Sequence, residues 1–222
     1  MSFHYDLRFA GLRFRVSSAF SLCLPECFRP FLRAEVFPAA PDVAVRVETG
    51  GLRERGGAGD AVVQSFYWDH GKSIYRLESK IAPGQITLLI PPEFQEKFAW
   101  NANWLLYLAL ERPLLHYGRL ILHASAALYQ GEAYLFTAPS GGGKSTQAEA
   151  WERAMHAQII NGDKVILYDD GTRLIACGSP IAGSSGIYRD ICAPVAVIAQ
   201  LEKGNRNTVT PLTMQERCLL LY

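Results

Sequence analysis

No apolar run in the sequence is long enough to cross a bilayer. The longest, Trp104 to Leu110, falls far short of the roughly 20 residues a spanning helix needs. Neither sign of charge is in excess. A formal net charge of +1 leaves no global electrostatic case for nucleic acid or an anionic membrane surface as partner. The opening residues, Met1 to Phe9, lack a basic segment followed by an apolar one, so no signal peptide is expected. Paired cysteine spacings are lacking too. Among the five cysteines, Cys23 and Cys27 are four apart without a second such pair, and His4 is not at a zinc-site distance. Packed or surface thiols are therefore expected for Cys23, Cys27, Cys177, Cys192 and Cys218, rather than disulfides or zinc. The expected compartment is the cytoplasm. No repeat of solenoid period is present.

What the chain does have is apolar content. Hydrophobic residues make up 49% of 222 and charged residues 19%, which describes a globular protein with a sizeable core in one large or two small domains. The first part reads as β-rich. Tyr5 to Val16 alternates around Ala10-Gly11 as a hairpin, and Val43 to Val47 reads as a strand. After a glycine-rich stretch (Gly50-Gly51, Gly56 to Gly59), Val62 to Trp68 and Ser73 to Ser79 flank a turn at Asp69-His70-Gly71. Gln85 to Ile90 completes the set. From Glu93 the period changes: Phe94, Phe98, Leu105 and Leu108 suit a helix that ends or bends at Pro113 and Gly118. The expected division is a β-rich region over 1–92 and, with this connecting helix, a nucleotide-binding domain over 93–222. The boundary lies on or beside the helix.

Leu135 to Trp151, L-F-T-A-P-S-G-G-G-K-S-T-Q-A-E-A-W, is the most informative stretch. An apolar strand runs into a glycine-rich turn, Lys-Ser-Thr and then helix-favouring residues. Orphan backbone N–H groups and the helix dipole then converge on one point, which suits a polyphosphate. Ser140, Gly141, Gly142, Gly143, Lys144, Ser145 and Thr146 are the expected phosphate-binding residues. Lys144 reaches the β- and γ-phosphates, and the Ser145 hydroxyl binds Mg²⁺. The pattern departs from G-x-x-x-x-G-K-[ST] at its first position, where Ala138 stands; this costs little if the local φ is negative. An antiparallel hairpin, Arg119 to Leu128 and Ala133 to Thr137, precedes the loop and narrows the choice of fold. A second carboxylate is needed to hold Mg²⁺, and Asp163 is the candidate, at the end of a short strand through Ile159-Ile160 expected beside the loop strand. The alternative is a plain Asn-Gly-Asp turn. Further strands are expected at Lys164 to Tyr168, Leu174 to Cys177 and Val195 to Glu202, and a short helix at Thr213 to Tyr222.

H-A-S-A-A-L-Y-Q-G-E-A-Y-L-F-T-A-P-S-G-G-G-K-S-T, then I-I-N-G-D-K-V-I-L, G-S-P and A-P-V-A-V-I-A-Q-L-E-K-G, resemble the HPr kinase/phosphorylase superfamily. The resemblance is strongest to its smaller serine-kinase-like members, some of which accompany peptide-modifying enzymes. It runs from about His123 to Leu212; the N-terminal half does not obviously match the regulatory domain of HPr kinases. It implies an α/β (α+β) fold: a mixed-sheet P-loop kinase domain of the HPr kinase/phosphoenolpyruvate carboxykinase type, behind a β-rich N-terminal region. It implies ATP and Mg²⁺ as cofactors and a serine on a peptide or small protein as acceptor, with a homo-oligomer as the possible assembly. His123 then sits close to the reacting phosphate, making His123, Lys144 and Asp163 the catalytic candidates and Ser145 and Asp163 the metal ligands.

Two departures follow from the same resemblance. Gly162 stands where the family keeps the first aspartate of its pair, the candidate general base, and the sequence stops at Tyr222, earlier than the resemblance leads one to expect, so that a C-terminal segment shaping the acceptor site is expected to be missing. The competing function is a catalytically impaired nucleotide-binding module acting through a partner. A carboxykinase acting on a metabolite would need a second cluster of basic residues and metal ligands, which the sequence lacks. Gly183-Ser184-Ser185-Gly186, followed by Tyr188 and Arg189, is either a lid bringing Arg189 to the phosphates or a plain surface loop.

Overall fold

The computed structural model describes residues 2–34, 40–50, 62–70, 73–82, 84–100, 111–181 and 183–220. Internal contacts divide the chain into Met1–Arg119 and Leu120–Tyr222, so the helical stretch after residue 92 groups with the N-terminal unit.

The first unit is built on seven strands: β1 (Phe3–Phe9), β2 (Leu12–Ser18), β3 (Leu32–Arg33), β4 (Val43–Thr49), β5 (Val62–His70), β6 (Ser73–Ala82) and β7 (Gln85–Ile90). They form one sheet in the order β3-β1-β2-β4-β7-β6-β5. β4 runs parallel to both β2 and β7, which makes the sheet mixed. The β1–β2 hairpin closes through Ala10 and Gly11, with φ of 48° and 75°. Positive φ at both central residues gives the turn whose twist matches its strands. Every second residue of β2 and β7, and of β4 as far as Val47, is buried, among them Phe14, Val16, Val43, Val45, Val47, Ile86, Leu88 and Ile90. Each such side chain contributes on the order of 1.5–3 kcal/mol by leaving water. A 3-10 turn at Glu26–Phe31 adds Phe28 and Phe31 to this face. The helical stretch comprises a 3-10 turn at Pro92–Phe94, then α1 (Gln95–Trp100) and α2 (Glu111–His116). Pro113 lies inside α2, and the chain leaves the helix at Gly118, φ 68°. Of the expected turn at Asp69-His70-Gly71, Asp69 and His70 belong to β5, while Gly71, the glycine-rich stretch from 51 and residues 101–110, with Leu105 and Leu108, lie outside the described residues.

The second unit holds β8 (Arg119–Tyr129), β9 (Glu132–Thr137), α3 (Lys144–Met155), β10 (Gln158–Asn161), β11 (Lys164–Asp169), β12 (Leu174–Cys177), β13 (Cys192–Gln200) and α4 (Met214–Leu220). The sheet order is β10-β8-β11-β12-β13-β9, and β9 pairs back onto β8. Five strands thus close into a barrel-like ring, with β10 attached outside it. β9 and β13 run parallel, whereas β8 and β9 are an antiparallel hairpin. Leu122, Ala124 and Ala126 of β8 share one buried cluster with Ala133, Leu135, Val165, Leu167, Ala176 and Ala193. Alternation puts these on one face, and small alanines let a tightly curved ring fill without voids. The opposite face carries Ala127, Phe136 and Ile159 against Ala148 of α3. Trp151, one turn on, packs on Tyr134 and Phe136 with ring centroids 4.6 and 5.5 Å apart.

Two expectations are corrected here. The strand through Ile159-Ile160 does not lie beside the loop strand; β10 pairs with β8, and the neighbours of β9 are β8 and β13. Nor are Cys177 and Cys192 free thiols. The β12–β13 register sets them directly opposite, with Cα atoms 4.1 Å apart, and they form a disulfide. Directly opposed residues on neighbouring antiparallel strands are close enough to be bridged, a proximity that fifteen residues of sequence separation conceal. Cys23 and Cys27 are free, and burial pushes the Cys27 thiol pKa up. Among the described residues no helix is long and apolar enough to cross a membrane.

Candidate functional site

The glycine-rich loop leaves the end of β9 at Thr137, whose carbonyl accepts the Leu201 N–H at 2.8 Å. Gly142 N–H turns back to the Pro139 carbonyl at 2.9 Å, and Gly143, at φ 99°, starts α3. Any side chain at 142 would collide with the loop itself, since a Cβ there would stand 2.5 Å from Ala138 Cβ and 2.9 Å from Pro139 O. Among the described non-glycine residues, positive φ is confined to Ala10, Gln130 and His156. Ala138 therefore occupies the first loop position without strain, as a negative φ requires. Ser140 and Gly141 are exposed, Ser145 is half-buried and Thr146 exposed at the head of a twelve-residue helix. Lys144 is only 8% exposed, and its Nζ donates to the Ala138 carbonyl at 3.0 Å. The ammonium thus lies folded across the loop, on a partner that a phosphate oxygen can replace.

His123, on β8, is brought to the root of this loop by strand register. Its neighbour Ala124 is opposite Thr137, and Thr137 Oγ1 donates to the His123 carbonyl at 3.2 Å. His123 Nε2 lies 3.0 Å from Asp163 Oδ1. The imidazole is 52% exposed and the carboxylate 25%, so both are open to a ligand. Three of the sequence-derived residues therefore gather at one end of the ring: Lys144 in the loop, with His123 and Asp163 as a pair at its root. Asp163 and the Ser145 hydroxyl are hard oxygen donors of the kind Mg²⁺ takes alongside phosphate oxygens.

Asp163 is positioned by residues that the sequence analysis did not single out. Asn161 is completely buried; its Oδ1 accepts the N–H groups of Asp163 and Lys164 at 2.8 and 2.9 Å. Its amide donates to the carbonyls of Ser179 and Ile181 at 2.9 and 3.2 Å. The Ser125 hydroxyl donates to Gly162 O at 3.0 Å, and that of Ser179 to Lys164 O at 2.7 Å. The Asn-Gly-Asp string was the available signal, because an asparagine that bonds its own backbone two residues on marks such a turn. Here the turn and the carboxylate are one device.

The loop at Gly183–Ser185 is packed against this turn. A Cβ at Gly162 would stand 1.9 Å from Ser185 Oγ, and one at Gly183 would stand 2.5 Å from Asp163 Cγ. Gly162 N–H donates to Ile187 O at 3.3 Å. Arg189 does not face outward from the loop, because its Nη1 donates to the Ile159 carbonyl on β10. Nothing local in the sequence marks Ser185 as the neighbour of Gly162.

No protein-family model matches this chain, and no curated protein matches it. The likeness to HPr kinase/phosphorylase rests on the residues and motifs quoted above.

Proposed function

We propose that the chain is an ATP-dependent kinase that transfers the γ-phosphoryl group to a serine hydroxyl on a peptide or small protein. In this reading Leu120–Tyr222 is a P-loop kinase domain of the HPr kinase/phosphoenolpyruvate carboxykinase type. The observation that carries it is the His123–Asp163 pair, 3.0 Å apart, at the root of a loop whose lysine lies across its mouth. Backbone N–H groups of the loop and the start of α3 hold the phosphates, and Lys144 exchanges the Ala138 carbonyl for β- and γ-oxygens. Asp163 and Ser145 would hold Mg²⁺, which neutralises charge on the transferred group. Asp163 keeps the His123 ring oriented through Nε2, leaving Nδ1 to take the proton of the acceptor hydroxyl. An ATP-consuming enzyme of this kind belongs in the cytoplasm. Disulfides are rare there, so the Cys177–Cys192 pair would be a reversible one.

Incubation with labelled ATP, Mg²⁺ and serine peptides tests the reading. Transfer should occur and be lost in Asp163→Asn, whereas Asp170→Asn, at an exposed turn, should keep it. Failure of the wild-type protein to transfer phosphate to any serine acceptor or to itself would overturn it. A second reading, a nucleotide-binding module acting through a partner, is favoured by one observation: the Ser185 hydroxyl fills the side-chain space at Gly162, where the resembled family keeps a carboxylate. It predicts tight ATP binding without transfer in the same experiment.

A further inference from the structure

We propose that Ser185 is itself a phosphoacceptor of this site; the inference rests on the kinase reading above. The position before Asp163 has no side chain of its own, and the Ser185 hydroxyl occupies that seat, 1.9 Å from where a Cβ at Gly162 would be. Glycines on both sides make the approach possible. Gly162 has no Cβ to block the hydroxyl, and Gly183, at φ 55°, has none to strike the Asp163 carboxyl.

The loop is held in this position. Gly162 N–H bonds Ile187 O, and Ile187 N–H bonds Ser185 Oγ, each at 3.3 Å. The Cys177–Cys192 disulfide joins the strands on either side of the loop, which limits how far Ser185 can travel. A half-buried serine hydroxyl is thus kept against the residue that precedes Asp163, whose carboxylate is paired with His123. That is the kind of group this site is proposed to phosphorylate. It is supplied by the chain at high effective concentration.

In the step, a bond forms between Ser185 Oγ and the γ-phosphorus of ATP, and the bond from that phosphorus to the β,γ-bridging oxygen breaks. ADP leaves, and the hydroxyl proton passes to His123. The product carries a phosphate where there is room for little more than a hydroxyl, against the residue that precedes Asp163. Like charge and bulk then drive the loop off Gly162, and the seat is vacated for an external serine.

The experiment uses the full chain with ATP and Mg²⁺ and no acceptor, followed by proteolysis and mass-spectrometric mapping. The expected result is phosphate on Ser185, absent in Ser185→Ala and in Lys144→Ala, forming at a first-order rate unchanged by tenfold dilution. An added serine peptide serves as the control. If the peptide is phosphorylated and Ser185 is not, or if phosphate appears on Ser184 instead, the inference is overturned and the kinase reading stands. A rate per chain that rises with protein concentration overturns the intramolecular geometry. No transfer to either acceptor overturns both.

Discussion

Asn161 Oδ1 accepts the backbone N–H of Asp163 at 2.8 Å, and this bond sets the direction in which the carboxylate leaves the chain. The same side chain holds three further backbone groups and is completely shielded from water. Asn161→Leu should therefore leave buried donors and acceptors unpaired. Each such group costs about 1–3 kcal/mol, and the net loss after local rearrangement should be about 3 kcal/mol in urea unfolding. An unchanged midpoint would show that the network is not what holds the turn.

Lys144→Ala removes the bond to Ala138 O and, on the proposed kinase reading, a charge-assisted contact to phosphate oxygens. ATP affinity should fall by about 1.5–3 kcal/mol, roughly 10- to 150-fold, in calorimetric titration. Equal affinity in wild type and variant would remove the loop from the site.

Gly162 and Ser185 should behave as a coupled pair. Gly162→Asp, which restores the carboxylate of the resembled family, meets the Ser185 hydroxyl and should destabilise the unit by about 1–3 kcal/mol. Adding Ser185→Gly should recover most of that loss. With space available, a placed base should then raise transfer to an external serine by roughly 10²–10⁴-fold. A double variant as unstable as Gly162→Asp alone would contradict the contact.

In the N-terminal unit, Asp42 accepts from Arg13 through its backbone N–H, Nε and Nη2. These hydrogen bonds to Arg13 hold the Asp42 carboxyl below its usual pKa. With the folded pKa depressed, protonation favours the unfolded chain. The contribution is complete above about pH 4, the unfolded value, and is lost as pH falls through the folded one. Both side chains are partly exposed, so Asp42→Asn should cost only about 1 kcal/mol at neutral pH after solvent screening. Stability measured against pH should show a shallower acid limb in the variant.

Local chemistry explains which parts of this structure could be read in advance. Ala10-Gly11 and Gln130-Gly131 are two-residue turns between alternating strands, so both hairpins are visible in the sequence. The glycine-rich loop and the helix after it are visible because glycine spacing, Lys144 and the helix-favouring residues are contiguous. Parallel pairing of β9 with β13, some sixty residues apart, has no local signature, and it takes the place beside β9 that the sequence suggests for the strand through Ile159-Ile160. The Cys177–Cys192 bond and the seating of Ser185 at Gly162 fail for the same reason. Each depends on a register or approach set elsewhere in the fold.

Closure of the ring gives the loop strand a distinct signature in time. Ala133 to Thr137 of β9 are laddered to β8 on one side and β13 on the other. Amide hydrogens of β9 should exchange with deuterium only through opening of the whole unit, and those of the largely exposed 202–213 within the dead time. The strand beneath the glycine-rich loop is thus already as rigid as the unit allows. Added ATP should leave β9 exchange nearly unchanged and should show its effect at 183–187 instead.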